Sequence, residues 1–300
     1  FAPPTLETRV EPKHPAQRGA LNTALARLAE QDPLIDLRRD DLRHEIYLSL
    51  YGEVQKEVIE ETLRGDFGVE AAFQPSTTIC IERPVGTGAA VEWAPDPFLA
   101  TVGLRVEPGP IGSGIVYAEE IEYGSLPVSF HTAIEDAVNM TLRQGLHGWQ
   151  VTDCRVVLTH GTRLRKWATS TPADHRDLTP LVLMDALRQA GTVVCEPIHR
   201  FVLTLPEDSL ATILQALARL EAVPKVPSVD GRAAMLEGEI AAANVHRLQQ
   251  LLPGLTRGEG VLEAEFDHYR AVRGPAPSRP RTDNDPLNRK DYLARVRGAR

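Results

Sequence analysis

Between Thr159 and Arg176 the chain reads THGTRLRKWATSTPADHR, a run of side chains suited to binding rather than to breaking bonds. Arg163, Arg165 and Lys166 crowd around Trp167, and the only carboxylate in the window is Asp174. The chain as a whole carries a net charge of -8, so this is a basic, aromatic spot on an acidic body. Cations neutralise phosphates, and an indole gives a base a surface to stack on, at about 1–3 kcal/mol per base. The stretch therefore reads as a tip that touches RNA through Arg163, Arg165, Lys166, Trp167, Ala168, Thr169 and Ser170. A solvated charge run beside a partly buried Trp would have the same composition, and composition alone does not separate the two.

The same window spells the start of a helix. Thr171 is placed as its cap, Pro172 in the first helical position and Asp174 three residues past the cap. Other chemistries fit poorly. His160, Asp174 and His175 lack the fixed spacing of a metal site. Ser170 has no nucleophile elbow of the G-x-S-x-G kind around it. The glycines of EPGPIGSG, Glu107 to Gly114, miss the dinucleotide fingerprint and read as a sharp turn between two strands. No G-x-x-x-x-G-K-[ST] occurs, so these residues cannot cradle GTP phosphates in the P-loop manner. The expectation is a stretch with no catalytic residue, no cofactor and no metal of its own.

Three hundred residues, 42% hydrophobic and 25% charged, make a globular chain of two or three domains. The acidic balance excludes a protein that coats nucleic acid over its whole surface, so any RNA contact must be focused. Cys80, Cys154 and Cys195 are odd in number and widely spaced, which fits buried thiols in a reducing cytoplasm. No apolar run approaches the roughly 18 residues that span a bilayer, and no membrane partner is expected. The chain opens on Phe1 without a signal-like segment and reads as a piece that begins after other domains.

Periodicity supplies the elements. Strand-like alternation at 5–13 leads to a helix over 16–31 with Leu21, Ala24, Leu25 and Leu28 on its apolar face. Strands at 35–39 and 45–50 follow, then a helix from Gly52-Glu53 to near Gly65 with Val54, Val58, Ile59 and Leu63 inward, and a strand at 69–73. This βαββαβ order is that of a ferredoxin-like unit. GTGAAVEWAPDP reads as a connection, with a boundary near Arg83. Strands are expected at 100–107, 115–123 and 151–159, with a helix at 130–142 whose apolar face holds Phe130, Ile134 and Val138. The helix after Thr171 should break at Thr179-Pro180, resume at Leu181 and end at Gly191. A second βαββαβ order occupies 198–269, and LYGEV at 50–54 and LEGEI at 236–240 suggest a shared turn into the second helix. After a proline-rich linker at 274–280, Asp285-Pro286 caps a short helix, 287–297, carrying Arg289, Lys290, Arg295 and Arg297. Alone it is marginal, so it must dock on something or stay frayed.

Five motifs carry a family resemblance: VEPKHPAQRGALNTALARLAEQDP at 10–33, ATVGLRVEPGPIGSG at 100–114, GLHGWQVTDC at 145–154, STPADHR at 170–176 and EGEI at 237–240. With this order of domains, nearly the whole chain resembles domains III, IV and V of translation elongation factor G. The middle resembles the tetracycline-resistance ribosomal protection proteins, relatives of that factor. The resemblance implies an α+β fold, two ferredoxin-like domains flanking a mixed α/β domain. Its divisions are 1–83, 84–191 and 192–273, followed by a linker and terminal helix at 274–300.

It also implies a monomeric cytoplasmic GTPase whose catalytic domain, with GTP and magnesium, lies outside these residues. Such a protein binds the ribosome, reaches small-subunit rRNA near the decoding site and competes with tetracycline there. The alternative within the family is elongation factor G itself, acting in translocation. By resemblance the tip is the loop at 163–169, and the terminal helix packs close to the tip domain, where Arg289, Lys290, Arg295 and Arg297 could add to the footprint. Better-known members carry a Ser-Pro-Val type turn after tyrosines just before STPAD. Here Trp167-Ala168-Thr169 follows Arg165-Lys166.

Overall fold

The computed structural model describes residues 2–32, 34–40, 43–122, 124, 126–163 and 170–299, with the backbone alone at 162, 163 and 299. The chain divides into two compact units, one made of 1–79 and 196–270, the other of 80–195 and 271–300.

The first unit opens with β1 (Leu6–Pro12), α1 (Arg18–Gln31), β2 (Asp36–Asp40), β3 (Glu45–Leu50), α2 (Glu53–Phe67), β4 (Ala71–Phe73) and β5 (Thr77–Thr78). The strand order β2-β3-β1-β4 is the one a ferredoxin-like βαββαβ unit requires. Leu21, Ala24, Leu25 and Leu28 of α1 are the residues its period places inward, and all four are buried in one core with Leu48, Leu50, Ile59 and Leu63. Two expectations for α2 fail. Val54 and Val58 are 65% and 59% exposed, because the helix turns only Ile59 and Leu63 fully inward. Gly65 lies within the helix, which runs on to Phe67 and stops at Gly68, in the left-handed conformation at φ 61°.

The second unit follows with β6 (Ile81–Pro84), β7 (Gly88–Trp93), β8 (Ala100–Pro108), β9 (Ile115–Glu119), α3 (Val128–Thr141), β10 (Gln150–Val151), β11 (Cys154–Arg163) and α4 (Pro172–Ala190). A four-stranded sheet in the order β7-β8-β11-β9 packs on α3 and α4. Its inner face is Ala100, Val102, Leu104 and Val106 of β8 with Cys154, Val156 and Leu158 of β11. GTGAAVEW is thus a strand, not the connection its glycines suggested. Gly88 is needed for close packing, since a Cβ there would lie 2.1 Å from the Ala186 carbonyl of α4. The α4 helix also runs unbroken through Pro180. The proline removes one backbone donor, but the Thr179 hydroxyl bonds the His175 carbonyl at 2.7 Å, and Thr179, Leu181, Val182 and Leu183 are buried.

β12 (Thr192–Pro206) begins in the second unit, pairing with β6 over 192–195, and continues in the first. There α5 (Leu210–Arg219), β13 (Val223–Pro224), β14 (Ser228–Asp230), β15 (Ala233–Ala241), α6 (Ala242–Thr256) and β16 (Val261–Ala271) complete the second βαββαβ unit, β12 lying between β15 and β16. The second strand of that order is split in two short ones, β13 and β14, both on β15. LEGEI is no turn: it lies inside β15, with Gly238 opposite Phe201. α7 (Arg289–Ala299) closes the second unit, burying Tyr292 and Val296 in the core of α3, α4 and the sheet. All three cysteines are buried and none is in a disulfide, and burial pushes the Cys154 thiol up to about 12. No helix among the described residues is long and apolar enough to cross a membrane.

In the first unit, His199 of β12 is buried with Nε2 3.3 Å from the Thr5 hydroxyl, and Nδ1 has no hydrogen-bond partner among the described residues. Burial holds its pKa below the ordinary 6.5. Above about pH 6.5 both folded and unfolded states keep this imidazole neutral and its contribution is complete. As pH falls from there through the folded value, the unfolded chain takes a proton that the folded one refuses, and stability drops. Denaturant midpoints measured from pH 7 to pH 5 should therefore fall less steeply for His199→Gln than for the unaltered chain, and parallel curves would show that the ring does not titrate on unfolding.

Candidate nucleic-acid interface

Arg163 and Ser170, the residues that bracket the expected tip, lie at one end of the four-stranded sheet. β11 runs antiparallel to β8 from Cys154 opposite Pro108 to Arg163 opposite Ala100, with a register shift between Leu158 and His160. The strand thus continues past Thr159, where alternation alone would end it, because β8 offers backbone partners all the way to Ala100. Of the predicted contacts, Arg165, Lys166, Trp167, Ala168 and Thr169 lie outside the described residues, and Arg163 is described by its backbone.

On the far side of that segment Ser170 is 3% exposed, and its hydroxyl donates to the Leu99 carbonyl. Buried in this way it anchors the segment. Thr171 and Asp174 then form the capping box foreseen from their spacing. The Asp174 N–H donates to the Thr171 hydroxyl at 3.2 Å, and the Thr171 N–H donates to the Asp174 carboxylate at 2.9 Å. His175 lies fully buried behind them, its Nδ1 3.1 Å from the Thr171 carbonyl and its ring edge-on to Phe130 at 4.7 Å. The six residues 164–169 are therefore bracketed by ties to two consecutive residues: Arg163 pairs with Ala100, and Ser170 bonds Leu99.

The opposite end of the sheet is fixed by two carboxylates that sequence reasoning passed over. Asp153, at φ 54°, accepts the N–H groups of Gly112 and Gly114 at 2.9 and 3.2 Å and pairs with Arg83 at 2.6 Å. EPGPIGSG is accordingly a pinned loop from β8 to β9 that crosses the end of β11, the strand lying between them. Glu82 is 0% exposed and accepts from the N–H groups of Leu146, His147 and Trp149 at 2.8–3.1 Å and from the Thr192 hydroxyl at 2.7 Å. It is the internal anion around which the GLHGW turn closes. Neither acid stands in a spacing that a motif search would find, since their partners come from distant segments.

The stretch taken for a linker lies along that turn. Trp149 donates its indole N–H to the Pro277 carbonyl at 2.8 Å, the Arg279 guanidinium sits 4.6 Å from the centre of the Trp149 ring, and Arg281 bonds the carbonyls of Gln144 and Gly145. The terminal helix docks as its apolar spacing required, with the Tyr292 hydroxyl on the Asp177 carbonyl at 2.8 Å. Its cations are differently employed. Arg289 pairs with Glu92 at 2.6 Å and Arg297 with Asp96 at 2.5 Å, Arg295 bonds the Asn284 side chain, and Lys290 is exposed.

Sequence reasoning also missed Trp93, which ends β7 with its ring 66% exposed and edge-on to His160 at 5.4 Å. A strand assignment for GTGAAVEW would have raised the question of which face this residue takes. In the first unit, Glu239, Asp267 and His268 bring three ligand-type atoms within 4.8 Å. Asp267 already pairs with His268 at 2.7 Å and Glu239 faces Arg270 at 4.0 Å, so these charges balance one another.

Three family models match, described as elongation factor G domain III over residues 1–75, domain IV over 85–191 and the elongation factor G C-terminus over 193–280. An oxytetracycline resistance protein of Streptomyces rimosus is 44% identical over 99% of this chain and 46% of its own length. The tetracycline resistance protein TetM of Streptomyces lividans is 46% identical over 87% of this chain and 41% of its own, and TetP of Clostridium perfringens 38% identical over 98% and 45%. The chain thus spans less than half the length of these relatives. The crystal structure of a Thermus thermophilus protein shares the fold, with a TM-score of 0.67 at 23% identity over 99% of this chain and 43% of that one.

Replacing Glu82 by Ala strands three backbone donors in the interior, at about 1–3 kcal/mol each. Denaturant unfolding of Glu82→Ala should lose at least about 3 kcal/mol. Thr171→Ala, which removes one cap, should lose about 1 kcal/mol. Equal losses in the two variants would refute the role given to the buried carboxylate.

Proposed function

This chain belongs to the elongation factor G family, and from that premise we propose that it is the ribosome-engaging part of a tetracycline-resistance protein. Its domains divide near Arg83, Gly191 and Arg273. The observation that carries the reading is the basic, Trp-bearing segment 164–169, held between two anchors at one end of the domain IV sheet. Relatives named for tetracycline or oxytetracycline resistance align along almost the whole chain and support the same reading.

Arg163, Arg165 and Lys166 meet phosphates of small-subunit rRNA near the decoding site, while Trp167 supplies the stacking surface, flanked by Ala168 and Thr169. Ser170 positions the segment from behind. Displacement of the drug is then a linkage effect: if the drug-free ribosome binds the factor more tightly, the factor weakens the drug by the same ratio. GTP and magnesium belong to a part of the protein outside this chain, and the whole works in the cytoplasm as a monomer. Trp149 and Trp93 do not take the tip's role, the first being buried in the GLHGW turn and the second lying on β7.

In the full-length protein, Trp167→Ala should abolish most protection of translation from tetracycline while leaving the unfolding midpoint unchanged. Undiminished protection would overturn the stacking role. Reversing the charges of Arg165 and Lys166 should flatten the dependence of ribosome affinity on salt, by roughly 0.7 in the logarithmic slope for each lost contact with single-stranded RNA. An unchanged slope would place these cations away from phosphate.

A further inference from the structure

The solvent face of the four-stranded sheet carries one large aromatic pair. Trp93, on the edge strand β7, is 66% exposed, and His160 of β11 meets it edge-on at 5.4 Å with the planes at 70°. These rings come from strands that are not neighbours, since β8 lies between β7 and β11. They meet because the residue of β8 opposite His160 is Gly103, where a Cβ would lie 2.8 Å from His160 Nδ1 and 2.9 Å from its Cβ. The intervening strand is cut down to backbone beneath the pair. His160 is further set by its Nδ1, 3.0 Å from the Thr159 hydroxyl.

This pair lies near the described residues that bracket the expected tip. Trp93 is opposite Thr101, one residue from Ala100, the partner of Arg163. Beyond it in the chain, Asp96 is neutralised from the terminal helix by Arg297 at 2.5 Å, whereas Glu92, opposite the buried Val102, belongs to the other face of the sheet and pairs there with Arg289. Without that cation, the Asp96 carboxylate, three residues past the indole, would stand unpaired and repel a polyanion. With it, that charge is cancelled, on a chain of net charge -8.

We propose that Trp93, held by His160 over Gly103, is a second stacking platform for an unpaired RNA base, and that Arg297 acts by cancelling the charge of Asp96. The proposal rests on the ribosome-engaging reading above and adds a contact to it. An exposed indole with one ring clamping its edge leaves a face for a base, and such stacking tolerates any base because each has a π-face. The terminal helix then serves RNA binding at one remove, through charge cancellation.

The test is ribosome binding by the full-length protein and its variants. Trp93→Ala should weaken affinity for the small subunit about 5- to 150-fold, the range equivalent to one stacked base. Trp93→Phe should recover part of the loss, and neither change should move the unfolding midpoint. Arg297→Ala should weaken binding, and Arg297→Ala with Asp96→Asn should restore it. p-Benzoylphenylalanine in place of Trp93 should cross-link to rRNA. Unchanged binding by Trp93→Ala beside a large loss with Trp167→Ala would overturn the second platform and leave the tip reading standing. No small-subunit binding by the unaltered protein would remove the tip reading and the platform together. Cross-linking to a ribosomal protein alone would replace RNA by protein as the partner of this face.

Discussion

The loop expected to touch RNA depends on two bonds made at consecutive residues. Ala100 pairs with Arg163 along the sheet, and the Leu99 carbonyl takes the Ser170 hydroxyl. The rest of the second unit can be understood as support for that base. β8 is held on both sides and buried along its inner face, and α4 begins with a complete capping box one residue past Ser170.

Carboxylates do the corresponding work at the opposite end. Glu82 and Asp153 are buried anions whose compensation is mainly backbone N–H groups, with Arg83 beside Asp153. Burying a charge is costly unless hydrogen bonds replace the lost water, and these turns supply several each. The result is that glycine-rich loops, which composition marks as loose, are tied at defined atoms. The same holds for the proline-rich stretch at 274–280, which meets the turn through Pro277 and Arg279.

Much of the fold is legible in periodicity, and the failures have identifiable causes. α1 and α3 bury the residues their spacing selects, because each lies on one core with its opposite face in solvent. GTGAAVEW passes for a connection because Gly88 signals close packing on α4 as well as it signals a loop. Pro180 does not break α4 because burial of the flanking residues outweighs one missing backbone donor. LEGEI resembles LYGEV in letters alone, one lying within a strand and the other at a strand's end. At the candidate site, the cap at Thr171 and Asp174 is legible because its partners are three residues apart, whereas Trp93 with His160, and Arg297 with Asp96, join positions far apart in sequence.

The two units are threaded through one another along the chain. Residues 1–79 and 196–270 group in one unit, and 80–195 and 271–300 in the other. As the polypeptide leaves its own ribosome, the sheet bearing the tip must wait for a stretch belonging to the other unit before Tyr292 and Val296 arrive to seal its core. Consolidation of the tip domain is thus a late event in synthesis, and a nascent molecule stalled before residue 289 would carry an open apolar seam along the helix that shoulders the tip.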